Sequence, residues 1–187
     1  LYAVERKRIK DRLEQVVGEL RLRNTQLASD LNVAREVQLA LLPRSYPAFP
    51  PSVTLEHSRI RFSHFYHACR TVGGDFFSII PVSETAAGVL ICDVMGHGMR
   101  SALVTAIIRG LLEELRAVAH DPGMLLTKAN RAFCAVLRQP GQPIFASALY
   151  LLVDEQAGTL SGANAGHPGP LRVPAGGGVP EILAFPG

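Results

Sequence analysis

The sequence predicts an α+β domain carried behind a long helix, and three observations predict it. Residues 1–42 contain no proline and one glycine, Gly18, with leucine recurring at seven-residue spacing. Four prolines, Pro43, Pro47, Pro50 and Pro51, then interrupt the chain. Beyond them, short runs of strand character come first, two helix-length segments follow, and strand runs return. That order is α+β rather than a strict β-α-β alternation.

In the lead-in, Leu13, Leu20, Leu27, Ala34 and Leu41 form a seven-residue series, and Val17, Asn24, Leu31 and Gln38 follow its first four members by four residues. Read as d and a positions, these make a coiled-coil seam. The Asn at one a position favours an in-register pair, so a homodimer through residues 13–41 is expected. The competing reading is one amphipathic helix packed on its own domain. The prolines end the helix and mark a linker, which sets a boundary between residues 1–43 and 44–187.

Past the boundary, Val53, Leu55, Ile60 and Phe62 suggest strands, and Asp75–Val82 and Gly88–Val94 read as two more around a polar turn at Ser83-Glu84-Thr85. From Met99 to about Val118, Leu103, Ile107, Leu111 and Leu115 repeat every four residues and predict a helix. Asp121-Pro122 supplies an N-cap and first-turn pair for a second helix, with Leu126, Ala129, Phe133 and Leu137 inward. Ile144–Val153 reads as a buried strand, Asp154–Gly158 as a hairpin turn, Thr159–Ala163 as the return strand, and Pro168–Val173 as a further strand.

Composition narrows the function classes. With 48% hydrophobic and 19% charged residues, the 187-residue chain can bury a core. Residues 1–43 hold eight Lys/Arg and six Asp/Glu, and residues 44–187 hold eleven and ten. The net charge of +3 is therefore spread thinly, with no basic face of the kind that binds nucleic acid. No apolar run reaches the roughly 18 residues of a membrane span, so no membrane contact by this segment is expected. Cys69, Cys92 and Cys134 are odd in number and far apart, which fits reduced thiols in a cytoplasmic setting. The chain begins at Leu1 with no signal peptide, so a start inside a longer, even membrane-tethered, protein is expected.

Two acids at strand ends attract attention. Asp75 follows the pair Gly73-Gly74, and Asp93 ends an apolar run just before Gly96-His97-Gly98. If 75–82 and 88–94 form an antiparallel hairpin, both acids reach one edge. Two carboxylates that close repel unless a cation lies between them, and hard oxygen ligands select Mg2+ or Mn2+. The helix beginning near Met99 directs free N–H groups at the Gly96–Gly98 loop, which suits a phosphate. Two ions about 4 Å apart would lower the pKa of a water and steady an in-line attack on a phosphate ester. Arg70 lies near enough in sequence to steer a phosphate. His64 and His67, three apart on an expected strand, are read as facing opposite ways. Taken singly, each piece is as readily structural: a tight turn, a capped strand-to-helix loop, a surface arginine.

Here the chain resembles a known family. VGGDFFS, CDVMGHGMRSALVTA, FASALYLLVDEQAGTL and GANAGHPGPL, with AREVQLALLP before them, resemble in order the blocks of the SpoIIE/RsbU-type branch of the metal-dependent (PPM, protein phosphatase 2C-like) serine/threonine phosphatases. The resemblance implies an α-β-β-α sandwich, a pair of Mn2+ or Mg2+ ions, and hydrolysis of phosphoserine or phosphothreonine on a regulatory protein such as an anti-sigma-factor antagonist. It implies that residues 1–43 are a signalling linker. It makes Asp93 the metal-bridging acid, Val94 the donor of a backbone carbonyl to the metal, and Asp75 the first acidic ligand. The family's candidate proton-donating histidine falls two residues after the bridging acid, where this chain has Met95, so His97 does not inherit that role. Asn164, Gly166 and His167 match a strand-end turn, with a structural role weighed above a substrate contact.

A further Asp-Gly motif of the family is not found after the ANAGHP block. The domain is therefore expected to be C-terminally incomplete, with weak metal retention and poor turnover. The alternative function is a catalytically inactive phosphatase-like module that binds a partner and relays a signal.

Overall fold

The computed structural model describes residues 2–68, 71–96, 98–137 and 143–187. Helix α1 spans Tyr2–Leu41, and the rest of the chain builds strands β1 (Asp75–Pro81) and β2 (Ala86–Val94), helices α2 (Met99–Glu114) and α3 (Pro122–Leu137), strands β3 (Ala146–Asp154) and β4 (Thr159–Ala165), and the two-residue strands β5 (Leu171–Arg172) and β6 (Glu181–Ile182).

Strands β1 to β4 form one antiparallel sheet in sequence order, and β5 pairs with β6 in a separate ribbon. The period-two pattern decides which face is covered. Phe76, Ser78 and Ile80 of β1, with Leu90 and Cys92 of β2, Tyr150 of β3 and Ala163 of β4, are buried on one face. Leu112 of α2 and Leu125 of α3 belong to the same core. The phenol of Tyr150 crosses this layer and donates a 2.7 Å hydrogen bond to the Ala119 carbonyl, which ties the sheet to the connection between the helices. Burial pushes that phenol's pKa upward.

The α+β class and the hairpin of the two acids agree with the sequence, as does the start of α3. Asp121 caps that helix: its Oδ1 accepts a 2.9 Å hydrogen bond from the Met124 N–H, with Pro122 at the first helical position. In α2 the buried positions are Ser101, Ala102, Val104, Thr105 and Leu112, whereas Leu103 is exposed. The four-residue leucine stripe drifts off the buried face because the period is 3.6. Only Leu111 of that stripe joins Ile108, Leu112, Leu126 and Phe133 around the cavity between helices and sheet.

The strands expected at Val53–Leu55 and Ile60–Phe62 do not form. Leu55–His57 is a 3-10 turn, and residues 58–68 belong to no ladder. Side chains answer the backbone groups that a neighbouring strand would have met. Ser58 Oγ accepts from the Phe49 N–H and donates to the Ile60 carbonyl, and Arg61 donates to the Glu56 carbonyl. The apolar residues instead pack as an aromatic group, Phe62 against Tyr46 and Phe49 at centroid distances of 5.7 and 6.2 Å.

The lead-in is helical throughout its described length. Leu13, Val17, Leu20 and Leu27 stay exposed on it. Its last turns dock on the globular part, and this takes two positions from the expected seam, Gln38 and Leu41, the latter packed against the core. Gln38 is buried within its own chain rather than offered to a partner, because its amide is engaged by Gly73.

Candidate metal and phosphate site

The β1–β2 register pairs Asp75 with Asp93 directly. The Val94 N–H donates to the Gly74 carbonyl at 3.1 Å, so residues 74 and 94 occupy a hydrogen-bonded site of the ladder. Asp75 and Asp93 then fall at the intervening non-hydrogen-bonded site, where Cα atoms approach to about 4.5 Å and side chains lie closest. Both point to the face opposite the helices, since their neighbours Phe76 and Cys92 point into the core. Burial and repulsion by Asp93 raise the pKa of Asp75, with His167 acting in the opposite direction. The Tyr66 hydroxyl reaches the Asp75 carbonyl at 3.4 Å. Its own pKa is raised by burial and by the charge of Asp75.

Glycine at position 74 permits this close approach. A Cβ there would sit 2.3 Å from the Val94 carbonyl oxygen and 3.2 Å from Asp93 Oδ1. Val94 is buried, with that carbonyl turned toward Gly74. After Met95, whose N–H donates to the Phe145 carbonyl at 2.8 Å, the chain turns through Gly96 and Gly98, both at positive φ (95° and 89°). Gly98 is the N-cap of α2 and makes no side-chain cap, and no acid stands in the first turn, so the positive end of the helix faces this loop without a carboxylate of its own. Two of the expected contacts, Arg70 and His97, lie outside the described residues.

The strand-end turn at Asn164 is closed by its own amide. Asn164 Nδ2 donates to the His167 carbonyl and Oδ1 accepts from the His167 N–H, both at 2.8 Å. The Asn164 amide thus spends one donor and its oxygen on the turn. The His167 ring reaches back to β3, where Nδ1 lies 2.9 Å from Ser147 Oγ. Ser147 pairs in register with Asp93, so Asp75, Asp93 and Ser147 stand in one row on one face.

The same cleft holds Asp75, His167, His64 and His67. His64 and His67 were expected on opposite faces. Segment 61–68 is not a strand, so the alternation does not apply, and both line the cleft. The Tyr46 hydroxyl is hydrogen-bonded to His64 Nδ1, and the His64 ring lies 4.7 Å from that of Phe77. Ser147 was not anticipated. Its only sequence signal is its parity in β3, which places it with Leu149 on the sheet face opposite the helices.

Two facing carboxylates, one of them already strained by the other's charge, suit a hard divalent cation. They are a small donor set. Among the described residues, no three His, Cys, Asp or Glu side chains converge into a metal-binding group.

The chain is similar to known proteins in sequence and in fold. The family model for Stage II sporulation protein E (SpoIIE) matches residues 83–187. The chain is 27% identical over 139 residues to the phosphoserine phosphatase RsbP of Bacillus subtilis (strain 168), across 74% of this chain and 34% of RsbP. Its fold is similar to that of the SiaA-PP2C domain of Pseudomonas aeruginosa, with a TM-score of 0.62 and 26% identity over 75% of this chain and 54% of that one. It is also similar to the structure of the RsbU and RsbW domains of Rv1364c from Mycobacterium tuberculosis, with a TM-score of 0.52 and 24% identity over 60% and 31% of the two chains. This chain thus spans about a third of RsbP and about half of the SiaA domain structure. With the family match covering more than half of its residues, a PP2C-like fold and paired acids at one sheet edge, the chain belongs to the SpoIIE family, within the SpoIIE/RsbU-type branch of the PPM phosphatases.

Proposed function

We propose that this domain hydrolyses phosphoserine or phosphothreonine on a regulatory protein, as the output of a bacterial signalling protein, using two Mn2+ or Mg2+ ions. The single observation that carries the reading is the direct cross-strand pairing of Asp75 with Asp93 on the open face of the sheet. Asp93 and Asp75 hold the cations, with the Val94 carbonyl beside them. When bound, the cations offset the phosphoryl charge and lower the pKa of a water. Gly96 and Gly98 keep the loop bare so that a phosphate can meet the N–H groups of α2. The similarity to RsbP, a phosphoserine phosphatase, supports this substrate class, and an anti-sigma-factor antagonist is the proposed phosphoprotein.

Residues 1–43 act in this reading as a linker distinct from the 44–187 domain, and the exposed apolar positions between Leu13 and Leu27 pair two copies. No described helix is long and apolar enough to cross a membrane, and a cytoplasmic place of action is part of the proposal.

A second reading, a phosphatase-like module that relays a signal without catalysis, is favoured by the small number of converging ligands. Mn2+-dependent release of phosphate from a phosphoserine protein, measured on the full-length protein, separates the two. Catalysis predicts that Asp93→Asn lowers kcat/KM by about a hundredfold or more. Equal rates for Asp93→Asn and wild type would remove Asp93 from the site, and no turnover by either would favour the relay.

A further inference from the structure

Ser147, Asn164 and His167 form a small unit beside the acids. Resting on the phosphatase reading above, we propose that His167 is a phosphate-contacting residue, donating a hydrogen bond from Nε2 to an oxygen of the phosphoryl group bound at Asp75 and Asp93, with Ser147 and Asn164 as its positioning residues.

The placement follows from the ladder. Asp75, Asp93 and Ser147 are consecutive register partners across β1, β2 and β3, on the face away from the helices. His167 Nδ1 is joined to Ser147 Oγ at 2.9 Å, so the imidazole extends that row. Its backbone is fixed on both sides by the Asn164 amide at 2.8 Å, and Gly166 makes the turn at a φ of 75°. The ring lines the same cleft as Asp75. With Nδ1 held by Ser147, the other ring nitrogen, Nε2, is directed away from it.

In the proposed direction of this bond, Ser147 Oγ donates to Nδ1, and the neutral imidazole then carries its hydrogen on Nε2. An N–H presented next to two carboxylates has no use for a second anion unless cations first neutralise the acids. A phosphoryl group carried on those cations is the anion that brings its own charge balance. The hydroxyl of Ser147 holds the ring position, and in the proposed direction of the bond it favours the Nε2–H tautomer.

Two measurements test this on the full chain. Nitrogen-15 NMR at about pH 8.5, above the ordinary histidine range, reads the His167 tautomer without any ligand. The Nε2–H form is expected in the wild type, with Ser147→Ala shifting it toward a mixture. A wild-type Nδ1–H form would overturn the proposal, because Nε2 would then be an acceptor. Titration with inorganic phosphate in the presence of Mg2+ is the second measurement. His167→Ala should weaken phosphate binding by roughly tenfold or more, and His167→Gln should recover part of the loss through its amide N–H. Asp93→Asn run beside them separates the failures. If Asp93→Asn abolishes phosphate binding and His167→Ala leaves it unchanged, the assignment of His167 alone is wrong. If neither variant changes it, or the wild type binds no phosphate, the site itself is misplaced and this inference goes with it.

Discussion

Gln38 holds Gly73 at both of its backbone groups: the side-chain Nε2 donates to the Gly73 carbonyl at 2.7 Å, and the Gly73 N–H donates to Gln38 Oε1 at 3.1 Å. The last turns of α1 are thereby fastened to the backbone two residues before Asp75. Gln38 is buried, so neither hydrogen bond is easily replaced by water. Gln38→Ala orphans both groups of Gly73 and should cost roughly 1–3 kcal/mol in denaturant unfolding. Gln38→Glu keeps the acceptor but loses the donor, and should fall between. An alanine variant as stable as the wild type would mean that the docking is held by apolar contacts alone.

The repulsion between Asp75 and Asp93 predicts an inverted mutational effect. Burial and the neighbouring charge raise the Asp75 pKa in the folded state. That contribution to stability is present at acid pH, below the unfolded value, and is lost as pH rises through the folded pKa, so at neutral pH its ionised form is a liability. Asp75→Asn should therefore raise the Tm of the metal-free protein near neutral pH, with the gain shrinking in acid. Adding Mn2+ should raise the Tm of the wild type and leave Asp75→Asn much less affected. With two facing carboxylates as the donor set among the described residues, Mn2+ binding should be weak. Thermal melts with and without Mn2+ read all of these.

Cysteine reactivity should divide sharply. Cys92 is buried in β2 facing the helices, and burial first, then Asp93 and Asp75, push its thiol up from 9.0 to about 12. Cys134 lies exposed on α3. Iodoacetamide at mildly alkaline pH should modify Cys134 and spare Cys92, as read by peptide-resolved mass spectrometry. Because the folded pKa of Cys92 exceeds the unfolded one, its contribution is intact below about pH 9 and declines between 9 and 12. Cys92 should become reactive only as alkaline unfolding sets in. Labelling of native Cys92 at the rate of Cys134 would contradict the packing of β2.

Tyr150→Phe isolates one buried hydrogen bond. The ring stays, while the Ala119 carbonyl loses its 2.7 Å donor. A loss of about 1–2 kcal/mol is expected in urea unfolding, with little change in secondary structure. The alkaline titration of this phenol, raised by burial, should also be visible in the ultraviolet only at or beyond unfolding.

Much of the globular part was legible because local chemistry and pattern agree there. Asp121-Pro122 announces α3 and does cap it, and the alternation flanking Ser83-Glu84-Thr85 gives the hairpin that brings the two acids together. What could not be read depends on partners distant in sequence. Gln38 fits a coiled-coil a position by spacing, and only the fold reveals that Gly73 claims it. Ile60 and Phe62 alternate like a strand, yet Ser58 and Arg61 satisfy local backbone groups and residues 58–68 join no ladder. His64 and His67 line one cleft because that segment lacks strand geometry. Ser147 is chemically silent in a run of apolar residues until register sets it beside Asp93 and reach sets it beside His167.

The tight passage at residue 74 has a genetic consequence. Every amino acid that one base change can make from a glycine codon carries a side chain, and the first carbon of any of them would collide with the Val94 oxygen at 2.3 Å. Codon 74 therefore has no neighbouring missense codon that spares this crossing. Random mutagenesis under selection for activity should return it unchanged while Gly18, with open space around it, drifts freely.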